Sequence, residues 1–296
     1  MTTVIKQNTM DSITIKGVAT DRQERIGMVL NYALLVLLTI IFLAPFYVIL
    51  RNAFLPQKLI TAFDWSWLPI PPSMNGWRDL MGNTNANIWD GLKNSSIIAI
   101  LQTFGQMMIC SLAGYGLARI PFKYNNAVFY LILVTLMIPS AVSFVPSYVL
   151  VASFGWVSTL QGLIIPGLFS GFNTFLFRNF FLNFPKELEE AGMMDGLDAF
   201  GVFFRVVLPN SLGVLMSLGV ITFIGSWNSF LWPLVIGQRS EAWTVQIVLS
   251  TFLTAQTVNL PAIFMGATVS ILPLVVVFLF MQRYIVEGVK MSGIKG

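Results

Sequence analysis

The feature that most constrains this chain is a set of six long stretches without any charged residue. They are residues 26–50, 95–118, 125–150, 153–177, 206–236 and 263–282. A helix needs about 20 mostly apolar residues to cross a bilayer, and helices satisfy their own backbone hydrogen bonds there. Hydrophobic residues make up 56% of the chain and charged residues only 10%, against about 25% charged in soluble domains. The sequence therefore predicts an all-α membrane protein with six transmembrane helices.

The distribution of Lys and Arg predicts the orientation of these helices. With the N-terminus inside, the inner segments hold 12 Lys and Arg residues and the outer segments hold five. Cytoplasmic loops carry such an excess. We therefore expect a cytoplasmic N-terminal segment (1–25), an extracytoplasmic loop (51–93) and a cytoplasmic tail (284–296). The polar segment before the first stretch, and that stretch's length, favour an uncleaved helix over a signal peptide.

The outer loop is rich in tryptophan. It contains Trp65, Trp67, Trp77 and Trp89. Tryptophans often lie at the lipid headgroup level, so interfacial anchoring is one interpretation. Contact with a docking partner on the outer face is the other.

Several kinds of site are excluded or disfavoured by residue content. The chain has no histidine and a single cysteine, Cys110. An intrachain disulfide and His-based catalysis are therefore excluded, and a structural zinc site is disfavoured. The phosphate-binding pattern G-x4-G-K-[ST] is absent. We expect no catalytic residue, no metal and no cofactor in this chain. Spans without ionisable residues also count against an ion-coupled secondary transporter, which stays a weaker alternative.

One acidic segment interrupts the apolar sequence between the fourth and fifth stretches. It reads "EEAGMMDGLDAFGVFFRVVLPN", residues 189–210. Asn183 and Pro185 suit the start of a first helix, and Gly196 suits its left-handed end. Asp195 or Asp198 can cap a second helix. We expect a helix–turn–helix on the cytoplasmic surface, with an acidic arm and an aromatic arm that suit a protein partner with a basic groove.

This segment resembles the EAA loop of binding-protein-dependent ABC importer permeases. Its spacing follows E-A-A-x3-G-x9-I-x-L-P, except that Gly192 replaces the commoner Ala and Val206 the commoner Ile. Other stretches are similar to the carbohydrate branch, the second permease beside maltose and glycerol-phosphate systems. These stretches are "NSSIIAI", "AGYGLARIPF", "LMIPSAVSFVPSYVL", "PKELEEAGMMDG", "SWNSFLWPL" and "RYIVEGVKMSGIKG". The resemblance runs from about residue 30 to the C-terminus.

The resemblance implies a type I ABC importer permease fold with a core over 90–283 and a coupling helix within 183–205. It implies ATPase-coupling residues, namely Glu190, Ala191, Gly192, Asp195, Gly196, Leu208 and Pro209. Leu208-Pro209 would start the fifth span. The implied partners are a homologous permease, two ATPase subunits that bind ATP and Mg²⁺, and an extracytoplasmic solute-binding protein. The implied location is the bacterial cytoplasmic membrane, with both termini inside.

The sequence indicates the family more narrowly than it indicates the transported solute. Polar residues within the spans suit either interhelical hydrogen bonding or the wall of a sugar pathway. Tyr148, Trp227 and Asn228 are the candidate pathway residues. Neutral sugars or oligosaccharides are the expected cargo, with a sugar phosphate or a uronate oligosaccharide as the alternative. An exporter permease is a less favoured reading, because exporters normally lack the EAA spacing.

Overall fold

The computed structural model describes residues 16–84, 86–253 and 258–293, with side chains over 25–284. Its regular structure within these ranges is helical, apart from a single bridge between Leu253 and Val258. The all-α prediction is therefore confirmed. The α-helices, in chain order, are α1 (Lys16–Ala53), α2 (Gln57–Ile60), α3 (Asn75–Gly82), α4 (Ile88–Arg119), α5 (Asn125–Leu136), α6 (Ser140–Ser153), α7 (Leu160–Ile164), α8 (Gly171–Leu182), α9 (Lys186–Met194), α10 (Ala199–Val202), α11 (Leu208–Asn210), α12 (Leu212–Trp227), α13 (Leu231–Ile236), α14 (Val245–Ser250) and α15 (Leu260–Gly293).

Three continuous helices in the described ranges are long and apolar enough to cross a membrane. They are Arg25–Ala53 within α1, Ile88–Arg119 and Leu260–Tyr284 within α15. Three further candidates are bent pairs: α5 with α6 at 101°, Leu160–Gly167 with α8 at 42°, and Ala199–Asn210 with α12 at 77°. The chain thus offers three straight spans, or up to six if each bent pair makes one crossing. The six-span count stays a prediction.

The bends explain why three predicted continuous spans are broken in the structure. Pro139 precedes α6 with an extended backbone, and the residue before a proline avoids helical geometry, so 125–150 divides into two helices. Between α7 and α8, a 3₁₀ turn at Ile165–Gly167 contains Pro166. Gln106 Nε2 donates to the Gly167 carbonyl at 2.7 Å. A side chain of α4 thus satisfies a carbonyl that this break frees.

The predicted start of the fifth span lies beside a bend. Leu208 and Pro209 lie in the short helix α11, and the long helix α12 begins only after the bend, at Leu212. Pro209 has no backbone N–H, so it cannot continue the preceding π-helical turn, Phe203–Val207. The side chains of Asn210 and Ser211 instead donate to the carbonyls of residues 206 and 207, at 2.7 and 2.6 Å.

Helix α4 is central to the packing and makes contacts with α8, α12 and α14, while α1 packs on α15. A partly buried polar cluster connects α4 to α8 and α12. Asn173 Nδ2 donates to Gln106 Oε1 at 2.8 Å, and the Thr222 hydroxyl donates to the same oxygen at 3.1 Å. Such bonds are the usual polar contacts between helices in lipid. The large apolar side chains of α1 are mostly exposed, as expected for a helix that faces lipid.

Arg51 holds the predicted outer loop against the end of α1. Its guanidinium donates to the Ser66 carbonyl at 2.6 Å and lies 4.0 Å from the ring centroid of Trp65. Trp67 is 72% exposed. Arg51 therefore fixes part of the loop while apolar side chains of the loop stay exposed. This arrangement fits both interfacial anchoring and contact with a docking partner.

Candidate functional site

The acidic segment folds as two short helices joined by a tight turn. Helix α9 begins at Lys186, directly after Pro185, and ends at Met194. The sequence suggested Asn183 as its N-cap, but Pro185 occupies that position. Asn183 instead follows the end of α8, and its side chain donates to the Asn179 carbonyl. Asp198 caps α10 by accepting a hydrogen bond from the Gly201 N–H at 2.8 Å. The alternative cap, Asp195, instead follows the last turn of α9.

Gly196 makes the turn that the sequence predicts. Its φ is +85°, in the left-handed region that side chains with a Cβ disfavour. The Gly196 N–H donates to the Met193 carbonyl at 3.0 Å, and the Leu197 N–H donates to the Gly192 carbonyl at 3.1 Å. These two bonds form a Schellman motif, which satisfies the last carbonyls of a helix. The elbow between the two arms is therefore set by hydrogen bonds and by one glycine.

Two neighbouring glutamates of α9 face opposite ways. Glu190, the acid of the EAA pattern, is exposed. Glu189 is only 5% exposed, and its Oε1 lies 2.8 Å from Arg119 Nε at the end of α4. The Tyr115 hydroxyl donates to Glu189 Oε2 at 3.2 Å. Arg119 Nη2 donates to the Phe184 carbonyl, which lies just before α9.

Sequence reasoning missed Glu189, although a signal was present. Glu189 and Gly192 are three residues apart, and such residues share one face of a helix. A glycine on that face indicates a close approach by another element. Arg119, which ends a charge-free stretch, is the cation that such a face would need. The two positions lie 70 residues apart in the chain, so only the fold brings them together.

The two departures from the EAA pattern face each other across the elbow. A Cβ on Gly192 would lie 3.2 Å from Val206 Cγ2 and 3.4 Å from Val202 Cγ2. Both departures replace a commoner residue with a smaller one. They therefore bring the first arm close to the helix that follows the turn.

The outward face of the elbow combines acidic and apolar side chains. Glu190, Ala191 and Asp195 are exposed there, and Met194 is 88% exposed. Phe200, on the second arm, is 66% exposed. Exposed apolar side chains beside carboxylates are typical of a surface that binds another protein.

The three candidate pathway residues lie in different surroundings. Trp227 is 1% exposed and stacks on Phe223, with ring centroids 5.9 Å apart. Tyr148 is half-buried and accepts a hydrogen bond from Gln238 at 3.2 Å. Asn228 is exposed in the break between α12 and α13. Tyr148 and Asn228 therefore keep accessible surface, whereas the ring of Trp227 belongs to a packed core.

The comparisons with known proteins agree with this geometry. Residues 108–291 match the family "Binding-protein-dependent transport system inner membrane component". The arabinooligosaccharides transport permease AraQ of Halalkalibacterium halodurans is 35% identical over 70% of this chain and 75% of its own length. The sn-glycerol-3-phosphate transport permease UgpE of Escherichia coli K12 is 31% identical over 88% and 95%.

The fold is also found among solved structures. It is the crystal structure of a bacterial ABC transporter involved in the import of the acidic polysaccharide alginate. The similarity has a TM-score of 0.77 and 19% identity, and it covers 89% of this chain and 98% of that one. The type I ABC importer permease fold expected from the sequence is therefore confirmed.

Proposed function

We infer the function of this chain from its family: it belongs to the binding-protein-dependent transport system inner membrane components. It is therefore a permease subunit of an ABC importer. We propose that its cargo is a neutral sugar or oligosaccharide. We further propose that it works with a homologous permease, two ATPase subunits and an extracytoplasmic solute-binding protein.

The observation that carries the coupling role is the elbow formed by α9, Gly196 and α10. In this proposal the elbow is the coupling helix, which docks in a cleft of the ATPase. Its outward carboxylate at Glu190 would pair with a basic group of that subunit, and Met194 would enter an apolar pocket beside it. ATP and Mg²⁺ would bind to the ATPase subunits. Closure of these subunits would open the transmembrane cavity outward, and hydrolysis would return it inward.

The neutral character of the cargo follows from the charges near the spans. Within α4, Asp90 and Lys93 lie near its beginning and Arg119 at its end, and the residues between them are uncharged. The charge-free stretch that contains α12 and α13 likewise offers amides and hydroxyls but no cation. Hydroxyl-rich solutes suit such groups, whereas a phosphate or a uronate calls for Arg or Lys.

The orientation proposed is the one that the Lys and Arg distribution predicts. Both termini and the elbow lie in the cytoplasm, where the ATPase is, and the loop 51–93 faces outward. The membrane is the bacterial cytoplasmic membrane.

Reconstitution tests the proposal. The complex of both permeases and the ATPase is placed in proteoliposomes with ATP inside and the loaded binding protein outside. We expect ATP-dependent uptake of a labelled neutral oligosaccharide, such as an arabinooligosaccharide, and no uptake of glycerol 3-phosphate. Selective uptake of glycerol 3-phosphate would replace the neutral cargo with an acidic one. Uptake without ATP, driven by an ion gradient, would overturn the importer mechanism.

A further inference from the structure

We propose that Arg119 and Glu189 are a positioning pair that makes α9 and α4 move as one body. The pair would pass any displacement of the docked helix directly to the second predicted span. This inference rests on the proposed coupling role of α9, because it concerns what happens to α4 when the ATPase moves that helix.

Glu189 makes two contacts with α4. Its Oε1 pairs with Arg119 and its Oε2 accepts from Tyr115. Arg119 and Tyr115 are four residues apart, so they lie on one face of α4. The side chains of Arg119 and Glu189 are 10% and 7% exposed. Charged groups in such dry surroundings interact more strongly than exposed ones. An ion pair at one oxygen and a hydrogen bond at the other also fix the orientation of the carboxylate.

Arg119 and Tyr115 also contact the elements on either side of α9. Arg119 bonds the Phe184 carbonyl, so it fixes the chain that enters α9. The Tyr115 ring packs edge-on against Phe181 of α8, at 5.7 Å between centroids. It also contacts Phe203, which follows α10, at 5.1 Å. The end of α4 thus contacts the entry to the elbow, its first arm and the helix after its second arm.

Helix α4 extends far from the Arg119–Glu189 pair. It has 32 residues, which corresponds to about 48 Å at 1.5 Å per residue. In the chain, α4 is separated from α9 by α5, α6, α7 and α8. The Arg119–Glu189 pair is therefore a direct connection where the covalent path is long. By contrast, Glu187 and Glu190 of the same helix are exposed.

The test measures one distance in the assembled complex. Spin labels are placed at Lys186 of α9 and at Ile100 of α4, both exposed, in a Cys110→Ala background. Pulsed electron paramagnetic resonance gives the distance distribution without nucleotide and after trapping with ATP and vanadate. With the Arg119–Glu189 pair intact, we expect the same mean distance between the two spin labels in both states. In Glu189→Gln, trapping should shift the mean distance and broaden the distribution.

Matched variants separate positioning from folding. Glu187→Gln changes an exposed carboxylate of the same helix and should behave as the unmodified protein. Tyr115→Phe keeps the ring and removes one hydrogen bond, so it should give a smaller shift in the same direction. It carries the test if Glu189→Gln fails to assemble. Co-purification of the ATPase and the thermal midpoint should be unchanged in each variant that is scored.

The outcomes distinguish this inference from the function on which it rests. If the ATPase binds and the mean distance changes on trapping even with Glu189 intact, the two helices do not move as one body and the inference is wrong. It is equally wrong if the distance is insensitive to trapping in both Glu189→Gln and Tyr115→Phe. If the ATPase does not bind to the unmodified permease pair, the coupling role of the elbow has failed instead.

Discussion

Replacement of Gly196 should weaken binding of the ATPase through backbone strain alone. The residue has a φ of +85°, and no atom lies within 4 Å of the position that a Cβ would take. A Cβ at this position therefore meets no steric clash inside this chain. The remaining cost is that of the left-handed conformation, about 1–2 kcal/mol for a residue with a Cβ.

This cost sets the size of the expected effect. In a variant the free elbow can relax from this shape and docking must restore it, so the strain subtracts from the free energy of binding. At 1.4 kcal/mol per factor of ten, the affinity of the permease pair for the ATPase should fall roughly 5- to 30-fold. Gly196→Ala and Gly196→Leu share the same strain. A larger loss in the Leu variant would measure the room that the ATPase cleft leaves around the turn.

The assay is a titration of the purified permease pair with the ATPase in detergent. Gly196→Asn is the matched control, because Asn enters the left-handed region more readily than other residues with a Cβ. We expect the Asn variant to bind more tightly than the Ala and Leu variants. Equal, wild-type affinity in all three would refute the argument that a strained turn at Gly196 shapes the docking elbow.

Three other predictions follow from the described side chains and the predicted topology. A cysteine at position 123 should resist an impermeant thiol reagent in intact cells while one at position 75 reacts, and labelling at both would contradict the six-span topology. Tyr148→Ala or Asn228→Ala should reduce solute transport with ATPase assembly intact. Trp227→Ala should mainly lower the folded yield, because its ring is buried. Loss of folded yield in all three variants would favour a packing role for all three residues. Gly192→Ala should be nearly neutral for thermal stability, because a helix-propensity gain of up to about 1 kcal/mol opposes a contact at 3.2 Å with Val206. Gly192→Leu should lower the thermal midpoint, and an unchanged midpoint would show that this face is not packed.

The elements predicted best from the sequence are those set by local chemistry. The turn at Gly196 and the cap at Asp198 depend on residues within one or two helical turns, so spacing alone indicates them. Helix content depends on the same local patterns of apolar residues. The opposite orientations of Glu189 and Glu190 depend instead on which face of α9 packs, and that is a property of the whole fold.

The breaks in the apolar stretches could not be placed from hydropathy. Stretches 125–150 and 206–236 contain no charge, so a window of hydropathy treats each as one span. Pro139 divides the first because the residue before a proline avoids helical geometry. Pro209 interrupts the second because it lacks a backbone donor, and the side chains of Asn210 and Ser211 satisfy carbonyls there. For the same reason Trp227 was a reasonable pathway candidate by residue type. Its burial arises from contacts with Phe223 and the rest of its core cluster, which the sequence does not specify.

The most direct test of the coupling role compares two charge reversals on one helix. Glu190→Lys places a cation where the docking elbow offers its outward carboxylate, and Glu187→Lys makes the same change at a second exposed acid of α9. Loss of one partner of a buried interfacial charge pair costs about 2–5 kcal/mol. Each variant is purified with its partner permease and assayed for retention of the ATPase in detergent. We predict that Glu190→Lys loses the ATPase while Glu187→Lys retains it. Retention of the ATPase at the wild-type level by Glu190→Lys would contradict the assignment of this elbow as the coupling site.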